Sequence, residues 1–153
     1  MIKPRSSIVK KILIATGLIL LAGTGIVWFV FNEKFEDTTT VKADQSKNAT
    51  TLLTEFRTDL ANANKNYTEK ILSVKGTVSE IEKADTTFNI KMSDSTGAYL
   101  IFAFQAKNQQ EVASVKEGDT VTVKGSCSGG TFSKILETFF VAFKRCIIEK
   151  QAL

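Results

Sequence analysis

The first strong feature of the hydrophobic pattern is an uncharged stretch near the N-terminus. Residues 12–31, ILIATGLILLAGTGIVWFVF, contain no charged side chain. A helix of this length spans about 30 Å at 1.5 Å per residue, which matches the hydrocarbon core of a bilayer. Four cations precede the stretch, and NEKFED, with three acids, follows it. We therefore predict a transmembrane helix with a basic cytoplasmic tail at residues 1–11 and the rest of the chain outside the cytoplasm.

Two other interpretations of this stretch are a buried core helix and a cleaved signal peptide. A core helix rarely runs for twenty residues without a polar face. A signal peptide has a shorter apolar run and small residues at its cleavage site, whereas this run ends in the bulky VWFVFN. The pattern favours an uncleaved anchor.

After the apolar stretch, the pattern becomes polar and then takes on helical spacing. Residues 32–47 are rich in threonine and charged residues and lack periodicity, which predicts a linker. Between residues 48 and 67, apolar positions recur every three to four residues, as on one face of a helix. Leu52 and Phe56 begin this face. We predict one amphipathic helix that packs on a core.

From residue 71 the apolar period changes to two, which indicates β-strands. The strands are predicted in ILSVKGTVSEIE, FNIKM, AYLIFAFQA, TVTVKG and VAFKRCIIEK. Gly76 predicts a bend in the long first strand, and KNQQEVASVKEGD predicts a short helix or irregular crossover between the third and fourth. This order is typical of the five-stranded oligonucleotide/oligosaccharide-binding (OB) barrel. We predict a mainly β fold over residues 48–153, with a small open β-sandwich as the alternative.

Composition and charge narrow the range of functions. The chain has no histidine, so the commonest general base and the usual zinc ligand are missing. The formal net charge of +4 comes entirely from residues 1–31, because 20 − 4 leaves 16 basic residues against 16 acidic ones in the remainder. A neutral domain lacks most of the electrostatic attraction to phosphates. We predict neither catalysis, nor a metal, nor a cofactor.

The two cysteines, Cys127 and Cys146, both lie near the C-terminus on predicted strands. Thiols outside the cytoplasm tend to oxidise, so a disulfide between them is predicted. Two buried free thiols are the alternative. The spacing is not that of a C-x-x-C redox motif, and two sulfurs without imidazole do not make a typical zinc site.

Three segments carry a resemblance to a known family. ANKNYTEKILSVKGTVSEI, VKEGDTVTVKGSCSG and VAFKRCII resemble the tRNA_anti-like family of bacterial OB-fold domains, over residues 50–149. Phe143 stands where the family usually has leucine, and the stretch 131–140 is longer than usual. The resemblance implies an OB fold and does not by itself assign nucleic-acid binding.

OB barrels bind ligands through one sheet face and the adjoining loops, and aromatic residues are abundant in the corresponding segments. The alternative for the phenylalanines is that they cap the barrel. The expected function is a single-pass membrane-anchored binding or scaffold module outside the cytoplasm, periplasmic in a Gram-negative cell. Its expected partner is an envelope protein or a glycan, and binding of single-stranded nucleic acid is the alternative. The candidate binding residues are Phe88, Lys91, Tyr99, Phe132, Phe139 and Phe140.

Overall fold

The computed structural model describes residues 24, 38, 40–84 and 87–149. The chain divides into two compact units, residues 1–35 and 36–153, and every element below belongs to the second. The elements of this unit are β1 (Gln45–Asn48), α1 (Ala49–Thr58), α2 (Leu60–Tyr67), β2 (Ile71–Thr77), β3 (Glu80–Ala84), β4 (Thr87–Ser93), β5 (Tyr99–Phe104), a 3-10 turn (Ala106–Asn108), α3 (Gln109–Val112), β6 (Thr120–Ser133) and β7 (Thr138–Ile148).

The predicted transmembrane helix at residues 12–31 lies, apart from Thr24, outside the residues that the structure describes. Among the helices that the structure does describe, none has the length and apolar character needed to cross a bilayer.

The seven described strands form one sheet in the order β1-β2-β6-β7-β5-β4-β3. β2 and β3 are almost contiguous in the chain but pair with different strands, β6 and β4. The two residues between them make the switch. Val78 donates its N–H to the carbonyl of Asp119 (2.9 Å), and Ser79 donates to the carbonyl of Lys91 (2.8 Å). The sheet therefore closes on itself into a barrel of OB-like topology, in which β5 and β7 run parallel.

The prediction of five strands was wrong, and the difference has a physical reason. The first predicted strand is interrupted at Val78 and Ser79, so it becomes β2 and β3. Close packing explains the glycine before this interruption. A Cβ at Gly76 would lie 2.6 Å from the Cβ of Ala49 and 2.7 Å from the Sδ of Met92. The other additional strand, β1, forms in the segment that the sequence predicted as linker.

β1 pairs in parallel with β2 and attaches the N-terminal segment to the barrel. Asp44 donates its N–H to the carbonyl of Ile71 (2.7 Å), and its carboxylate accepts from the N–H of Ile71 (2.9 Å). The ammonium of Lys124 donates to the carbonyl of Val41 (3.1 Å). Residues 41–48 are therefore part of the folded domain.

The predicted amphipathic helix is present as two helices that meet at Asp59. Asp59 is extended (φ −148°, ψ 87°), and its carboxylate accepts from the N–H of Asn62 at 3.0 Å, which caps α2. Asn48 stands at the start of α1 without a capping side-chain bond. The helices bury one face against the barrel, as the spacing predicted. The buried helical residues are Ala49, Leu52, Leu53, Phe56, Ala63 and Tyr67.

The β6–β7 ribbon extends past the barrel and is held to α2 by one amide side chain. Asn64 donates from Nδ2 to the carbonyl of Gly130 (3.0 Å) and accepts from its N–H at Oδ1 (2.8 Å). Gly130 must be a glycine here, because a Cβ would lie 2.5 Å from the Cδ1 of Phe56. This clamp fixes the ribbon at Gly130 to α2.

Candidate functional site

The outer side of β3, β4, β5 and β7 carries an aromatic and charged surface, which we call the outer face. It consists of Glu80, Glu82, Lys91, Tyr99, Ile101 and Phe140. Alternation along the strands places these residues outside and their neighbours inside. In β5, for example, Leu100 and Phe102 are fully buried, whereas Tyr99 and Ile101 are half-buried.

The centre of the outer face is a pair of stacked rings. Tyr99 lies opposite Phe140 in the parallel β5–β7 register. The two ring centroids are 5.7 Å apart, and the planes are 13° from parallel. Thr138 donates its hydroxyl to the carbonyl of Gly97 (3.0 Å), which fastens the start of β7 to the turn before β5. The strand pairing and this hydrogen bond therefore hold the two strands together beside the ring pair.

Lys91 connects this pair to two carboxylates on β3. Its Nζ lies 5.3 Å from the centroid of the Tyr99 ring, 3.2 Å from a carboxylate oxygen of Glu80, and in closer contact with Glu82. The hydrogen bond from Lys91 lowers the pKa of Glu82. The hydrogen bond to Glu82, and after it the bond to Glu80, raises the pKa of Lys91 against the opposing effect of burial. Both shifts favour the charged forms of Glu82 and Lys91.

The charges give the outer face a definite chemical preference. Its side chains carry two carboxylates and one ammonium, and that ammonium already contacts both carboxylates. A phosphate would have to compete with Glu80 and Glu82 for Lys91. Stacked aromatic rings beside carboxylates suit instead a ligand with flat or apolar surface and hydrogen-bond donors.

The six predicted binding residues are divided among three places. Lys91, Tyr99 and Phe140 lie together on the outer face. Phe88 packs against the core, with the Nζ of Lys83 at 5.3 Å from its ring centroid.

Phe132 and Phe139 occupy the third place. They contact each other edge to face at 4.9 Å, on the other side of the ribbon from Phe140. Strand alternation places them on the same side of the ribbon as Gly130 and Val141. Phe140 lies on the opposite side, with its register partner Thr131. The six predicted residues therefore do not form one face, and of them only Lys91, Tyr99 and Phe140 lie together on the outer face.

Sequence reasoning missed Glu80, Glu82 and Ile101 as members of the site. Glu80 and Glu82 alternate along one strand and therefore share a face, but only the β3–β4 register brings Glu80 opposite Lys91. Ile101 lies opposite Lys91 on the next strand.

The predicted disulfide between Cys127 and Cys146 is not formed, because both cysteines are free and buried. The strand register gives each sulfur a different neighbour. Cys127 lies opposite Phe143, and the Sγ of Cys146 lies 2.6 Å from where a Cβ on Gly125 would be. Burial raises the pKa of Cys127 to about 11 and also raises that of Cys146. The two cysteines are therefore buried free thiols, which was the alternative to the predicted disulfide.

A concave region of about 340 Å³ lies away from the outer face, along α1 and α2. Its polar groups already have partners within the protein. The ammonium of Lys47 contacts the carboxylate of Glu55 at 2.7 Å, and the hydroxyl of Tyr67 donates to the same carboxylate at 2.5 Å. In the part of the chain that is described, no group of three or more His, Cys, Asp or Glu side chains is arranged to hold a metal ion.

Comparison with known proteins identifies a family and a shared fold. The tRNA_anti-like family model matches residues 4–138. This match begins before the resemblance at residues 50–149 and ends before VAFKRCII. No curated protein matches the chain in sequence.

Among solved structures, a lipoprotein from Klebsiella pneumoniae subsp. pneumoniae MGH 78578 is similar, with a TM-score of 0.56 and 18% identity over 77% of this chain and 100% of that chain. An OBody bound to hen egg-white lysozyme has a TM-score of 0.43 and 18% identity, over 57% of this chain and 88% of that chain. Asparaginyl-tRNA synthetase from Pyrococcus horikoshii has a TM-score of 0.38 and 12% identity, over 57% and 20%. The likeness to the lipoprotein shows a shared fold.

Proposed function

The chain belongs to the tRNA_anti-like family, and we propose that it is a membrane-anchored binding module that recognises an envelope protein or a glycan through its outer face. In this proposal residues 12–31 span the membrane, the N-terminus is cytoplasmic, and the barrel lies outside the cytoplasm. The module has no catalytic role and needs no cofactor.

The observation that carries the proposal is the stacked Tyr99–Phe140 pair beside an already neutralised lysine. Half-buried aromatic rings on a sheet face cost free energy to leave in water and gain it when a ligand covers them. The strands hold these rings in place, so binding requires little ordering of the protein. Sugar rings and apolar protein side chains both stack on such a surface.

The proposed topology rests on the sequence of the first 37 residues. Twenty uncharged positions match the bilayer thickness, and the cations lie on their N-terminal side. The similar Klebsiella structure is of a lipoprotein, which is consistent with an envelope location for this fold. An anchored binding module outside the cytoplasm meets proteins and glycans of the envelope far more often than nucleic acid.

Binding of single-stranded nucleic acid is the second candidate, because the stacked pair could also receive bases. The Klebsiella lipoprotein is provisionally named as nucleic acid-binding. Such binding depends on cations along the groove as well as on stacking. The ion pairs of Lys91 with Glu80 and Glu82 disfavour it here.

Site-specific photocrosslinking in native membranes tests the proposal. A photoreactive amino acid replaces Ile101 in the full-length protein, and the same amino acid at exposed Lys65 on α2 is the matched control. We expect an adduct from position 101 that position 65 does not give and that Tyr99→Ala with Phe140→Ala abolishes. Protease sensitivity of the captured partner separates a protein from a glycan.

Binding of single-stranded nucleic acid would give different results in two experiments. If it is correct, the full-length protein in detergent binds single-stranded oligonucleotides with an affinity that falls steeply as salt rises, and Lys91→Met weakens that binding. Such binding, with no adduct from position 101 in membranes, would reject the proposed envelope partner.

A further inference from the structure

The end of the β6–β7 ribbon carries an unusual exposure of apolar side chains. We call residues 132–137 the ribbon tip. Within the described residues, the large apolar side chains that are exposed all lie there: Phe132 at 43%, Leu136 at 60% and Ile135 at 92%. Scattered apolar residues are normal on protein surfaces. Their concentration at one turn is unusual, and exposed apolar patches are typical of interaction sites.

The ribbon tip has a defined shape. Ser133 and Thr138 form the last pair of the ladder, and Leu136 donates its N–H to the hydroxyl of Ser133 (3.2 Å). Glu137 closes the turn with a left-handed φ of 50°. The hydrogen-bonded turn therefore holds Ile135 outward, and insertion into an apolar medium would require little further ordering.

We propose that the ribbon tip inserts Ile135 and Leu136 into the surface of the bilayer in which the protein is anchored. The inference rests on the proposed membrane anchor. The tip is a turn that presents the exposed aliphatic side chains of Ile135 and Leu136 together with the partly exposed ring of Phe132, so it suits a fluid target that closes around it. Lys134 is adjacent and can keep its ammonium among the headgroups while its stem lies in the apolar layer.

The length of chain before the domain permits this contact. Thr38 is buried, and its hydroxyl donates to the carbonyl of Arg145 (2.6 Å). Arg145 lies seven residues along β7 from Thr138, which is about 23 Å of strand. The seven steps from Phe31 to Thr38 reach at most about 25 Å. In the proposed topology this length of chain keeps Thr38 within about 25 Å of the membrane end of residues 12–31, a distance similar to the strand length between Arg145 and the tip.

Two attachments on one membrane reinforce each other. A single turn with two aliphatic side chains would bind a bilayer weakly on its own. With the helix anchored, the second contact becomes intramolecular, and its effective concentration is set by the short linker. We expect the two attachments to hold the domain in one orientation relative to the membrane, whereas the anchor alone would leave that orientation free.

Lipid quenching of a single tryptophan tests the proposal on the full-length protein in vesicles. The chain has one tryptophan, Trp28, so Trp28→Phe gives a silent background. Ile135→Trp reports the tip, and Gln110→Trp, at an exposed position of α3, is the matched control. We expect brominated lipids to lower the emission of the tip reporter, and its emission maximum to lie to the blue of the control.

Two outcomes would overturn the inference: equal emission of the tip reporter in brominated and ordinary lipids, or stronger quenching at position 110. Flotation of the same samples with vesicles separates this failure from failure of the anchor. Protein that floats without quenching at position 135 is anchored but has a free tip. Protein that does not float lacks the anchor itself, and the proposed topology then fails as well.

Discussion

Two aromatic stacks bridge β5 and β7, one on each face of the sheet. The inner stack is Phe102 with Phe143, at 4.7 Å between centroids, and both side chains are almost completely buried. The outer stack is Tyr99 with Phe140, at 5.7 Å. Both pairs come from the same parallel register, three residues apart. Strand pairing alone therefore produces aromatic stacks, and only burial distinguishes a core from a surface available for binding.

The comparison also separates stability from binding. The inner stack contacts other core side chains, so the fold depends on it. The outer stack contacts Lys91 and solvent, so it can be changed with little effect on the fold. The following predictions test this separation, from the largest expected effect to the smallest.

The largest effect should be the protection of the two thiols on the inner side. Because Cys127 and Cys146 are buried and their pKa values are raised, little thiolate is available in the native protein. Alkylation at about pH 8 should be roughly a thousand-fold slower than after denaturation, since it requires opening of the core. Mass spectrometry after denaturation without reductant should show two labelled thiols, whereas an unlabelled protein would indicate a disulfide.

Truncation of one ring in each stack should have unequal effects. Phe143→Ala should lower the free energy of unfolding by about 3–5 kcal/mol, because it leaves a cavity in the core. Phe140→Ala, three positions away on the outer face, should cost only about 0.5–1.5 kcal/mol. Thermal unfolding in mild detergent, followed by near-ultraviolet circular dichroism, measures both. Similar losses for the two variants would mean that the outer stack is structural.

A side chain added at Gly125 should crowd Cys146, and shortening Cys146 should relieve that crowding. Gly125→Ala should cost about 1–3 kcal/mol, because its Cβ would lie 2.6 Å from the Sγ of Cys146. With Cys146→Ala in the background, the same change should cost much less, and the double-mutant cycle should show a coupling of about 0.5–3 kcal/mol. Additive losses would show that the two positions are not in contact.

The smallest effect should come from an ion pair of the outer face. Glu82→Gln should cost less than about 1 kcal/mol at neutral pH, because the side chain of Glu82 is 40% exposed and water screens the ion pair. Exposed Glu117→Gln, in the turn before β6, is the control. The melting temperatures of wild type and variant should be compared across pH.

The direction of the pH effect follows from the two shifted groups. The pKa of Glu82 is below its ordinary 4.5, so its contribution is complete above that value and is lost as pH falls through the folded-state pKa. The pKa of Lys91 is above its ordinary 10.5, so its contribution is complete below that value and is lost as pH rises through the folded-state pKa. A difference between the proteins that persists in acid would contradict the ion-pair explanation.

The barrel could be predicted because alternation is local. Apolar residues recur at every second position of the strands and point into the core. Examples that are fully buried are Val74, Ile90, Phe102 and Val123. The helical face beginning at Leu52 and Phe56 follows from spacing in the same way. These patterns fix which side of each element is inside, whatever its partners are.

The division of the binding face could not be predicted, because it depends on which strands become neighbours. Alternation alone sends the adjacent residues Phe139 and Phe140 to opposite sides of the ribbon, but the pairing of Phe140 with Tyr99 depends on the β5–β7 register. Phe88 was placed with Lys91, and it belongs with the core. The pairing of Lys91 with Glu80 and Glu82 joins residues of two strands and required the β3–β4 register.

By itself the sequence determined the alternating strands, the helical face, the neutral charge of the domain and the absence of histidine, because these depend only on residue types and their order. The tertiary structure alone decided that the first predicted strand is split, that residues 45–48 join the sheet and that the cysteines stay apart. Each of these depends on distances between residues far apart in the chain. The close approach of Ala49 to Gly76 arises only once the barrel has closed. The same is true of the register that places Cys127 opposite Phe143.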